Sequence, residues 1–385
     1  RLRAISGLAS AYAALSRPEL VDEVMRYVDV DRVEHLGYRA RLVRVLALAA
    51  SMRGDYATAA VLGERAADDF ATERYHAVLG NTYTELATAY HRLGRLQEAI
   101  RAQYRAHEAF TESGSPLAQA ISLVNLGVIH GEAGNAEGAR SYFMSARAIP
   151  LEVDGDRIEL WCSLNLGLLA IERNDADAAI PELTMAHELG ERMQMWSTVV
   201  GACRGLAAAY RIKRDVASAR RWMERATEIL ERTPHDGLRT TNIIEEARIA
   251  AVEGDHDRVL RLTEPLLEAS QASGDMSTRV RVAQILSETY AAMGNHANAY
   301  TMLRERMELQ TLISNDSVAQ QLTMMRVEAD MRSERDMMAR ERALLHGLMP
   351  ATVANRIVRG ESDIAEVHDN VVVMFADIVD FTSLA

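Results

Sequence analysis

The sequence predicts an all-α chain. It reads as a solenoid of helical hairpins, followed by a long connecting helix and the first strand of a truncated α/β domain. Three observations predict this. Turn residues recur every forty positions through most of the 385 residues. Apolar content is 48% but aromatics are only 5%, and Ala and Leu dominate, a composition that favours helix over sheet. Near the C-terminal end, the apolar run Val371 to Phe375 leads into Asp377 and Asp380.

The repeat comes first because it covers most of the chain. Gly54, Gly94, Gly134, Asn174, Arg214, Gly254 and Gly294 share one register. Five positions after each stands Ala59, Ala99, Ala139, Ala179, Ala219, Val259 or Ala299. Eight before stands Leu46, Leu86, Leu126, Leu166, Leu206, Glu246 or Leu286, and the next position is small, as at Ala47, Ala87, Gly127 and Gly167. A second alanine recurs at Ala66, Ala106, Ala146, Ala186 and Ala226.

This pattern predicts one helical hairpin per unit. The first helix carries an apolar stripe such as Leu86, Tyr90 and Leu93, at helical spacing. Gly94 suits the left-handed backbone that ends it. The second helix carries Ala99, Ala102 and Ala106, small enough for close axial approach. One hairpin leaves a face uncovered, so the units must stack.

The spacing of Tyr83, Leu86, Ala87, Tyr90, Gly94, Ala99 and Ala106 resembles the tetratricopeptide repeat. The period of forty exceeds that family's usual ~34, and the surplus is expected between units, as at Glu112 to Pro116. The sixth unit is degenerate, with Glu246 where leucine belongs. Leu8, Ala9, Tyr12 and Val21 suggest a divergent N-terminal copy, so the array is placed at residues 1–308. The resemblance implies a protein-binding groove lined by first-helix residues. In the third and fourth units these are Val124, Val128, Leu164, Leu168 and Ile171, apolar where other units show Thr84, Thr88, Arg204 or Glu288. They are either a hydrophobic partner groove or ordinary core.

Residues 309–349 form the connecting helix. Charges are interleaved from Arg326 to Arg342, and Met324, Met331, Met338 and Leu345 recur every seven residues. That period predicts a parallel coiled coil with a second copy, although Glu334 and Glu341 interrupt its seam. The other reading is a single helix capping the last repeat.

In residues 350–385, Val371 to Phe375 fit a buried central strand, with Asp377 at its end. Phe375-Ala-Asp377-Ile378-Val-Asp380-Phe381-Thr382 resembles the opening of the catalytic domain of class III adenylate/guanylate cyclases. Its approach, Leu344-Leu345, Leu348-Met349-Pro350, Val353-Ala354, Ile357 and Gly360, is similar to theirs. The resemblance implies conversion of ATP or GTP to a cyclic nucleotide on a pair of Mg2+ or Mn2+ ions. Asp377 and the Ile378 carbonyl match metal ligands, and the Phe381 and Thr382 amides match phosphate contacts. Asp380 departs from the family's glycine. The second metal aspartate, the purine-selecting residues and the transition-state arginine are expected beyond Ala385, so this stretch alone is expected to be inactive. Family active sites form between two domains, which implies a homodimer. The second reading of the whole chain is a non-catalytic repeat scaffold.

Composition narrows the rest. A net charge of −12 argues against a nucleic-acid scaffold. Membrane-length apolar runs and signal-peptide patterns are missing, and Cys162 and Cys203 read as small buried residues. Together these predict a cytoplasmic protein. Asp255-His256-Asp257 and His296 fall at turns, where solvated residues are expected rather than metal ligands.

Overall fold

Each turn residue of the repeat takes a left-handed backbone. Gly54, Gly94, Gly134, Gly254 and Gly294 have φ between 71° and 80°, while Asn174 and Arg214 stand at 57° and 61°. That conformation folds the next amides back onto the free carbonyls of the ending helix. The Gly54 amide donates to the Ser51 carbonyl and the Asp55 amide to the Ala50 carbonyl, both at 3.0 Å. Asp55 then caps the next helix, its carboxylate accepting from the Thr58 amide at 3.1 Å. One residue thus helps close one helix and open another. Asn135, Asp175, Asp215, Asp255 and Asp275 repeat the arrangement.

The structure, a computed structural model, describes residues 2–232, 236–349, 353 and 354. Among these, all regular structure is helical. The chain divides into two units, Arg1–Val327 and Glu328–Ala385. The first opens with α1 (Leu2–Ala14), α2 (Pro18–Met25) and a short 3-10 helix, Val30–Arg32. Hairpins follow in the predicted register: α3 (Leu36–Met52) with α4 (Tyr56–Thr72), α5 (His76–Arg92) with α6 (Leu96–Glu112), α7 (Pro116–Glu132) with α8 (Ala136–Arg147), and α9 (Gly155–Glu172) with α10 (Ala176–Arg192). Next come α11 (Trp196–Ile212) with α12 (Val216–Arg232), α13 (Asp236–Glu253) with α14 (His256–Ser273), and α15 (Met276–Ala292) with the start of α16 (His296–Leu348). In the second unit, the described residues are the last turns of α16, Met349, and helical residues at Val353 and Ala354.

One expectation is corrected. The extra length of the repeat does not lie between units. Ser113, Gly114 and Ser115 link α6 to α7, and Gly114 has the same left-handed backbone, at 67°, as the turns inside units. Arg74, Asp154, Gln194 and Gly274 occupy equivalent places, with φ from 57° to 75°. Apart from the longer link of residues 148–154, links within and between units are therefore alike, and the surplus lies in helices that mostly run 17 residues. The second helix of the last hairpin is the start of α16, which runs without a break through residue 308.

The small residues are where the helices cross. Ala59, Ala66, Ala99, Ala106, Ala139, Ala146, Ala179, Ala186, Ala219 and Ala226 are all buried. Gly127 lies against the Phe143 ring and Gly167 against Leu183; a Cβ on either would stand about 2.6 or 2.5 Å from those side chains. The first helices of successive units also touch: α3 with α5, α7 with α9, α9 with α11, α11 with α13, and α13 with α15. They form one wall. Arginines tie the units together. Arg147 reaches Glu182 at 2.6 Å, Ser163 at 2.8 Å and Glu159 at 2.9 Å, while Arg225 reaches Glu191 at 2.7 Å.

Candidate functional site

Asp377, Ile378, Phe381 and Thr382, the residues singled out by the cyclase resemblance, lie outside the described residues, as do Asp380 and the run Val371 to Phe375. Among the described residues, no group of three His, Cys, Asp or Glu side chains could hold a metal ion. Asp255 caps α14, and His296 is exposed at the start of α16. Cys162 and Cys203 are buried and free. Among the described residues, no helix is long and apolar enough to cross a membrane.

The wall of first helices carries the candidate site. Its proposed apolar lining divides. Val124 is 6% exposed and packs in the core with Phe143, Ile158 and Leu166. Val128, one turn further along α7, is 36% exposed and borders a cavity of about 820 Å3. Leu164, Leu168 and Ile171 are half-buried against the cluster of Leu183 and Leu206. Gly201 and Gly205 of α11 leave the room that Leu164 and Leu168 fill.

The cavity beside Val128 has a mixed lining, with Leu96, Ile100 and Ile129 among its apolar residues. Thr84, Thr88 and His91 of α5, Gln103 of α6, and Asn125 and Glu132 of α7 line it. Gln320 and Met324 of α16 line it as well. Met324 is 2% exposed and Val327 is fully buried, both within the single chain. This bears directly on the expected coiled coil. At Met324 the heptad seam is covered by the chain's own repeats, not held open for a second copy. Met331 is also buried, whereas Met338 and Leu345 are not described.

Further along the wall the groove becomes basic. Arg204 and Arg211 of α11 and Arg248 of α13 gather around one buried carboxylate, Glu245, and Arg281 of α15 lies close to Arg204 and Arg248. The Arg211 Nε donates to Glu245 at 2.6 Å and the Arg248 Nη1 at 3.3 Å. The Arg204 Nε is buried with no hydrogen-bond partner. Burial pushes the Arg204 guanidinium down from its ordinary value; Arg281 and Arg248 push the same way, and Glu245 opposes them. Burial and Arg248 likewise lower Arg281. A guanidinium stays protonated regardless, so the four arginines outnumber the carboxylates beside them, Glu245, Asp275 and Glu288. Arg211 and Arg248 face a cavity of about 250 Å3 shared with Gln284 and Glu288.

The local geometry now meets known proteins. Residues 78–152 match the tetratricopeptide repeat family model. They span α5 to α8. Solved structures with the same fold extend the likeness along the chain. The apo form of RapI has a TM-score of 0.61 at 11% identity, covering 82% of this chain and 98% of that one. The apo quorum sensor NprR from B. thuringiensis has 0.58 at 13% identity, covering 78% and 87%. A signal transduction ATPase with a tetratricopeptide repeat sensor, from Pyrococcus horikoshii, has 0.53 at 14% identity, covering 81% of this chain and 50% of that one. No curated protein matches the sequence. Residues 78–152 thus match tetratricopeptide repeats, and the described residues of the chain form an all-helical array of the same fold.

The arginine group was not singled out from sequence. Its signal was present, since Arg204 stands at a groove position where neighbouring units carry threonine or apolar residues. Arg248 and Arg281 belong to other units, and only stacking brings them together.

Proposed function

We propose that this chain is the protein-binding, regulatory region of a class III nucleotide cyclase. One observation carries the binding half: Arg211 and Arg248 pair with the buried Glu245 on the wall of first helices, while Arg204 beside it keeps a buried Nε with no hydrogen-bond partner and Arg281 lies close by. In a chain of net charge −12, that local excess fits an acidic segment of a partner protein. The quorum sensor and the repeat sensor among the structural neighbours are in keeping with a sensing role. The cyclase half rests on Phe375 to Thr382 alone. There Asp377 and the Ile378 carbonyl would hold Mg2+ or Mn2+, and the Phe381 and Thr382 amides would meet the phosphates of ATP or GTP. The catalytic partner would be a second copy.

Two measurements test the halves separately. A fluorescent oligoglutamate peptide should bind the chain, lose affinity as salt rises, and fail to bind Arg204→Glu/Arg281→Glu. Binding that ignores both salt and charge reversal overturns the groove. The natural polypeptide carrying this chain should form cyclic AMP or cyclic GMP with Mn2+, and Asp377→Ala should reduce the product to background. Unchanged or undetectable product favours the second reading, a non-catalytic interaction scaffold, which the predominance of repeat sequence supports.

A further inference from the structure

The groove between α5, α6 and α7 already contains a helix, the Gln320 to Val327 stretch of α16. Gln320, Met324 and Val327 lie at i, i+4 and i+7, one stripe of a helix. Met324 and Val327 are buried, while Leu322 and Met325 on the other side are each 62% exposed. The helix does not fill the groove: a solvent-open cleft of about 820 Å3 remains beside Met324, edged by Val128 and Thr88. Methionine adapts readily to alternative packings.

We infer that this groove is a helix-binding site and that residues 320–327 are its resident, exchangeable ligand. An amphipathic helix with the same Gln-x3-Met-x2-Val face competes with α16 for the groove. The inference rests on the reading of the first-helix wall as a partner surface, but not on the arginine group or the cyclase.

The probe is a labelled peptide of residues 319–330 with norleucine replacing methionine, so that its fragments differ in mass from the chain's. It should bind Met324→Glu/Val327→Glu, in which the resident face is spoiled, about tenfold more tightly than the unaltered chain. Tenfold corresponds to a groove open about a tenth of the time. Val128→Arg added to that variant should abolish binding. In the unaltered chain, saturating peptide should speed hydrogen exchange across residues 320–327. Equal affinity for both proteins, no binding to either, or unchanged exchange under saturating peptide overturns the proposal. If the double variant does not fold, the exchange measurement decides alone. Neither readout involves oligoglutamate or cyclic nucleotide, so failure here is distinct from failure of the proposed function.

Discussion

At the scale of single residues, Arg147 shows how charge holds the array together. Its guanidinium joins Glu159 and Ser163 of α9 to Glu182 of α10. Burial alone would raise the Glu182 pKa, but the Arg147 hydrogen bond and charge outweigh it, and the value is lowered. The contribution of Glu182 to stability is therefore complete above the ordinary carboxylate value of about 4.3. It is lost as pH falls through the lowered value. In Arg147→Ala burial is opposed only by Ser163 and Arg140, so Glu182 should titrate higher. The variant should lose roughly 1–3 kcal/mol at neutral pH, discounted for partial exposure, and its acid-unfolding midpoint should rise. Denaturant melts across pH check both. The hydroxyl and carboxylate partners of Arg147 come from later helices, so the sequence revealed an arginine but not its role.

At the scale of elements, the links are the legible part. Glycine at a turn position predicted a helix end, and the left-handed backbone is found at Arg214 as well, at 61°. The repeat register located Arg214 where its residue type would not have. A side chain there costs about 1–2 kcal/mol, partly offset because glycine gains freedom in the unfolded chain. Arg214→Gly should stabilise by about 0.5 kcal/mol, whereas Gly254→Ala should destabilise by about 1 kcal/mol. Thermal melts of the pair separate these signs. What the register hid was the equivalence of the links. Arg74, Asp154 and Gln194 also take φ near 60°, but their residue types vary too much to signal a turn. Those links therefore read as spacers, and the extra helix length went unseen.

At the scale of the whole molecule, each unit is stabilised by its neighbours. Cys162 of α9 and Cys203 of α11 lie in adjacent central units, and burial pushes both thiols up to about 12. A thiolate is the reactive form, so neither should be modified while its unit is closed. Both should label together, at a rate set by opening of the central units. Native-state labelling followed by mass spectrometry checks this. One cysteine labelling in seconds without denaturant would break the expectation.

The sequence by itself determined the helical hairpins, their register and the burial of their alanines. Those features follow from spacing within one or two helices, where backbone geometry ties position to face. It also supplied the motif around Asp377, which lies outside the described residues. Only the tertiary structure decided what meets across units. Arg204, Arg211 and Arg248 converge on Glu245, with Arg281 close by, because stacking superposes helices that are far apart in the chain. Met324 illustrates the same limit. Its sevenfold spacing would suit a second copy or the chain's own groove equally, because periodicity defines the face of a helix and not what covers it. The groove beside Val128 covers it, a contact between residues that no local pattern links.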